Sequence, residues 1–130
     1  MKKMIRTLAL VLILALSVCA LASCAPASDP DKALAALKEN GYTAVKVDAG
    51  SYEGCIAVVS GTKIETTDNG VVVNSANIYY FEDSKSANDA WEDLQGEAED
   101  DKKDDESNWI LKKSGKMIYW GTKDGIAAAR

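Results

Sequence analysis

The stretch from Cys55 to Phe81 constrains the fold more than any other part of the chain. It is rich in β-branched and aromatic residues and is interrupted once, at Asp68-Asn69-Gly70. Asn-Gly between two β-forming runs predicts a type I′ hairpin turn with Asn69 and Gly70 at its centre. Counting outward from that turn pairs Ile64 with Ser75 and Val58 with Phe81. Residues 55–67 and 71–81 are therefore expected to form two long antiparallel strands, with a bulge at Gly61.

The flanking segments supply the remaining elements. Asp29 followed by Pro30 is an N-cap with proline at the first helical position. Ala33, Leu34, Ala36 and Leu37 form the apolar stripe of that helix, and Gly41 closes it. Residues 42–47 read as a strand. After Phe81 the period changes from two to 3.6: Ala87, Ala90, Trp91, Leu94 and Ala98 lie on one helical face, with Ser84 or Ser86 as the cap. Residues 97–107 hold a dense acidic run around Lys102 and Lys103 and are expected to be a solvated loop. Trp109-Ile110-Leu111 and Met117-Ile118-Tyr119-Trp120 flank Lys113-Ser114-Gly115 as a second hairpin. Thr122 can cap a last helix, which Gly125 weakens. The order α-β-β-β-α-β-β-α predicts a single α+β domain over residues 29–130. Its antiparallel sheet has about five strands, with helices mainly on one face.

Three short motifs stand in the order used by penicillin-interactive serine enzymes: Ser60-Gly61-Thr62-Lys63, Ser75-Ala76-Asn77 and Lys113-Ser114-Gly115. Their context disagrees with that chemistry. The nucleophilic serine of that family opens a helix, so its lysine lies beside it one turn later. In a strand, residue i+3 points to the opposite face. The chain contains no histidine, which excludes Ser-His-Asp and Cys-His nucleophiles and histidine-ligated metals. Cys55, set beside Ile56, Ala57 and Val58, reads as a small buried hydrophobe. The acidic run lacks the spacing of a calcium loop, and its lysines partly neutralise it. No catalytic residue, metal site or cofactor is assigned.

The N-terminus is of a different kind. Lys2, Lys3 and Arg6 precede an uncharged apolar run from Leu8 to about Ala22, and no charge returns until Asp29. That is the layout of a secretory signal peptide; a retained span would have to count through Ser17, Ser23 and Pro26. Leu21-Ala22-Ser23-Cys24 resembles the lipobox of bacterial lipoproteins. Leu16-Ser17-Val18-Cys19 fits less well, because the branched Val18 stands where a small residue belongs. The resemblance implies a signal peptide over residues 1–23 and a diacylglycerol on the Cys24 thiol. It also implies acylation of the freed amine, and two or more acyl chains anchor durably. Residues 24–28 would be a short tether, in which Ala25-Pro26-Ala27-Ser28 reach at most about 14 Å. The expected location is the extracytoplasmic side of the cell membrane, or an outer membrane where the cell has one.

Removing 23 of the 130 residues leaves 107, enough for one modest core. Three of the 15 basic residues and none of the 20 acidic ones go with the leader, so the remainder stands at −8. Such a chain is a poor ligand for nucleic acid and is repelled by anionic surfaces. The aromatic pairs Tyr79-Tyr80 and Tyr119-Trp120 are the candidate binding face, because one ring of each adjacent pair points to each side of the sheet. The expectation is a lipid-anchored envelope module without catalytic activity that binds a protein or glycan partner. The alternative is a small extracytoplasmic hydrolase, serine- or carboxylate-based.

Overall fold

The computed structural model describes residues 25–48, 51–102 and 108–130. In chain order the elements are α1 (Pro30–Glu39), β1 (Thr43–Val47), β2 (Cys55–Thr67), β3 (Gly70–Phe81), α2 (Ser84–Asp101), β4 (Trp109–Ser114), β5 (Met117–Thr122) and α3 (Lys123–Ala128). The five strands form one sheet in the order β1-β2-β3-β5-β4, and every neighbouring pair is antiparallel. This is the α+β domain expected from the order of elements. Among the described residues no helix is long and apolar enough to cross a membrane.

Two helices share one face. Ala33 and Leu37 of α1 and Ile126 of α3 pack with Ala57, Val59, Ala76, Ile78, Tyr80 and Tyr119. The helix α2 lies on the other face, where Ala87, Ala90, Leu94 and Ala98 meet Phe81, Ile118 and Trp120. Strand pleating explains the division: Tyr119 faces one side, and its neighbours Ile118 and Trp120 face the other.

The local signals set the helix ends. Asp29 caps α1 by accepting from the Asp31 N–H at 2.9 Å. Asp83, rather than Ser84 or Ser86, caps α2, accepting from the Ser86 N–H at 2.8 Å. Thr122 caps α3. The expected loop at 97–107 begins later than its charge suggests. Ala98 continues the buried stripe of α2, so the helix runs through Asp101. Residues 103–107 lie outside the described residues.

The central hairpin differs from expectation by two residues. Asp68 and Asn69 form the turn, neither has a positive φ, and Gly70 at φ 124° opens the return strand. A type I′ turn needs positive φ at both central residues, so the turn is not of that type. Ile64 consequently pairs with Val73, and Val58 with Tyr79. An even slip leaves every side chain on its expected face. The bulge falls between Cys55 and Ala57; Gly61 pairs regularly with Ala76 and leaves room for Leu37 above it.

The expected tether is part of the fold. Pro26 is buried, the Ala27 N–H donates to the Ala129 carbonyl at 2.8 Å, and the Tyr80 hydroxyl donates to the Ala27 carbonyl at 2.7 Å. Residues 25–27 therefore follow the domain wall and do not act as a free spacer.

Gly125 has a packing role that its propensity hides. A Cβ there would stand 2.0 Å from the Ser75 carbonyl oxygen, and one at Gly121 would stand 2.1 Å from it. The Thr122 hydroxyl between them accepts from the Ser75 N–H at 3.1 Å. Alanine for glycine inside a helix normally gains about 1 kcal/mol. Here Gly125→Ala should instead cost about 2 kcal/mol, because the helix must lift off the strand. Urea denaturation reads the difference, and an unchanged or higher midpoint would contradict the seating of α3 on Ser75.

Candidate functional site

The four aromatic residues expected on a binding face are not displayed. Tyr80, Tyr119 and Trp120 are each no more than 3 % exposed, and Tyr79 is half-buried. The expectation assumed an uncovered sheet face. Helices lie on both faces: Tyr80 and Tyr119 are in the core under α1 and α3, while Tyr79 and Trp120 lie under α2.

The α2-side rings form a stack bolted to the helix. Tyr79 lies nearly parallel to Trp120 with centroids 5.2 Å apart, and Tyr52 meets Tyr79 edge-on at 6.1 Å. Glu97 accepts from the Tyr52 hydroxyl at 2.9 Å and from the Tyr79 hydroxyl at 3.3 Å. Asp101 accepts from the Trp120 indole N–H at 3.0 Å. Two residues of the acidic run therefore fasten α2 to the sheet.

Burial pushes the Tyr52 hydroxyl up to about 12, helped by its bond to Glu97. Tyr79 and Tyr80 are pushed up as well, chiefly by burial. An unfolded tyrosine ionises near pH 10. Above that pH the folded chain holds protons that the unfolded chain has lost, so stability falls as pH rises. The urea midpoint should drop progressively above about pH 10, and Tyr52→Phe should make the decline shallower. A midpoint that rose through this range would contradict the clamp.

Of the residues suggestive of serine chemistry, Ser60 and Asn77 meet, but neither lysine joins them. The Ser60 hydroxyl donates to Asn77 Oδ1 at 3.0 Å. Lys63 lies on the opposite face, where its ammonium reaches the Asn40 carbonyl at 3.1 Å and Glu65 at 3.0 Å. Lys113 bonds Asn88 of α2. Cys55 is buried, with its Sγ 3.6 Å from the Ala57 carbonyl oxygen. Among the described residues no group of three or more Cys, Asp or Glu side chains is placed to hold a metal. Cys24 lies outside the described residues.

The sheet does expose a surface, made of aliphatic rather than aromatic side chains. Val45, Val47, Ile64, Val71 and Val73 are between 48 % and 68 % exposed. Register places all five on one face: Val45 pairs with Ser60, Val47 with Val58, Ile64 with Val73 and Thr66 with Val71. It is the face that α2 covers further along, where Val58 and Tyr79 pack against the helix cluster. Thr43, Ser60, Thr62, Thr66, Ser75 and Asn77 complete this part of the face, which therefore carries no charged side chain. In a sequence that is 27 % charged, that is a marked segregation. The alternation of Val45 with Val47 and of Val71 with Val73 is visible in the sequence. That no helix among the described residues covers these positions, with α2 ending at Asp101 beside Val71 and Val73, is not.

No protein-family model, curated protein or solved structure matches the chain.

Proposed function

We propose that this chain is a lipid-anchored extracytoplasmic module, held to the membrane through Cys24, that binds a partner protein through the uncharged strip on β1, β2 and β3. The strip itself carries the reading. Exposed β-branched residues gathered on one face form an apolar patch, whereas scattered single ones need no explanation. The occupant that fits is a protein with an apolar surface of its own. A glycan would call for exposed rings, and none is exposed among the described residues: Tyr42, Tyr80, Phe81, Tyr119 and Trp120 are buried, and Tyr52, Tyr79, Trp91 and Trp109 are half-buried. An anionic bilayer or wall polymer would be repelled by the net negative charge of the chain. Sheet faces pack on other sheets or on helices at about 10 Å, which matches an uncharged strip of branched side chains.

A photoreactive residue at Val45 or Val73, in cells that make the full chain, should give one discrete adduct with another protein. Ile64→Lys with Val71→Lys should abolish it while changing stability by less than about 0.5 kcal/mol for each exposed site. An adduct at twice the chain mass would replace the partner with a second copy. Adducts to lipid alone, or none, would overturn the reading.

The anchor is tested separately. Cys24→Ser should release the chain from the detergent phase, and Cys19→Ser should not. Equal retention of the two variants would remove the lipid from the proposal and leave the strip untouched.

A further inference from the structure

We propose that the cavity between the C-terminal end of α1, strands β2 and β3, and α3 is a binding site for a small organic ammonium ion. It lies on the face opposite the uncharged strip. Asn40, Tyr42, Lys63, Glu65, Asn74 and Asp124 line it, with Ala127 and Ala128 beside them, and its volume is about 360 Å³.

Asn74 carries the inference. It is 5 % exposed, the buried polar side chain among the described residues, and its Oδ1 has no hydrogen-bond partner. A buried carbonyl oxygen left unpaired is costly, so native structures rarely keep one without use. Lys63 stands directly opposite Asn74 in the β2–β3 register and could have satisfied it. Its ammonium turns away to the Asn40 carbonyl and Glu65, and lies 5.8 Å from the centre of the Tyr42 ring. The Asn40 amide is committed as well, donating to the Ala36 and Ala128 carbonyls.

The Lys63 ammonium and the Asn40 amide are thus engaged, while Asn74 Oδ1 and the Asp124 carboxylate keep unspent acceptor capacity. Asp124 makes no ion pair among the described residues. Asn74 Oδ1, buried at the wall, and the exposed Asp124 carboxylate are both without a bond among the described residues, so a ligand that brings N–H donors is the one they fit. With two carboxylates against one lysine, it must be cationic. A hard divalent ion fits poorly, because Lys63 already occupies Glu65. A primary ammonium supplies three donors, and a short aliphatic stem can rest on Ala127 and Ala128. The volume is within the range of small-molecule sites.

The test uses the full chain in detergent micelles and two probes of the same shape, butylammonium and butyrate. Amide shifts at Asn74, Ala127 and Ala128 should saturate with butylammonium, with Kd about 1 mM, and stay still with butyrate. Asn74→Leu should weaken binding about tenfold, the cost of one lost buried hydrogen bond. Asn74→Asp, which keeps the acceptor and adds charge, should tighten it. Should Asn74→Leu fail to fold, Asp124→Asn on the exposed side of α3 serves in its place and should weaken binding severalfold. Equal binding of butyrate would overturn the proposal. So would affinity unchanged by these substitutions, or no shifts with about 20 mM amine, which would leave Asn74 bonded to water.

Discussion

The pairing of β2 with β3 is the interaction on which the rest of the molecule depends. Every other strand is five or six residues long, whereas these have 13 and 12. At about 3.3 Å per residue β2 spans about 43 Å. The longest helix among the described residues, α2, has 18 residues and spans about 27 Å. No helix among the described residues can cover the full length of the hairpin. The β3–β5 ladder ends at Ala76, so the tip of the hairpin extends past its neighbours. Both the covered core and the uncharged strip follow from that mismatch in length.

Where the helices do reach, they are fixed by few and specific contacts. Small residues on α2 let it approach the sheet closely, and Glu97 and Asp101 then anchor it to Tyr52, Tyr79 and Trp120. On the other face α3 is seated through Thr122 and two glycines that admit the Ser75 carbonyl. The N-terminal segment closes this face by bonding to Ala129 and Tyr80. An anchor at Cys24 would then attach one residue before a docked segment, and the domain's orientation to the bilayer would be set by packing rather than by a flexible spacer.

The two candidate surfaces differ in chemistry and lie on opposite faces. The strip is uncharged and built from exposed valine and isoleucine with threonine, serine and asparagine among them. The cavity is acidic and polar, and it retains one buried oxygen without a partner. A site that holds an unsatisfied group gives up stability for binding capacity, a common trade at functional positions. An exposed strip of branched residues gives up solubility for contact area in the same way.

The element order was legible in the sequence because each element carries its own short-range signal. The 3.6-residue stripe from Ala87 to Ala98 placed α2, Asp29-Pro30 opened α1, and the two β-forming runs placed the central strands. Side-chain parity was legible too, since it survived the two-residue error in register. Coverage was not. Tyr79 and Trp120 resemble exposed sheet residues until α2 lies across them, and Val45 and Val73 resemble ordinary core residues until no helix does. Asn74 sits in an alternating strand like any other polar residue, and only the turning away of Lys63 leaves its oxygen alone. By itself the sequence determined which segments are helices and strands and which side of each is apolar. Which apolar side is buried and which stays open was decided by tertiary structure, because it depends on the lengths of α1, α2 and α3 measured against a strand longer than each of them.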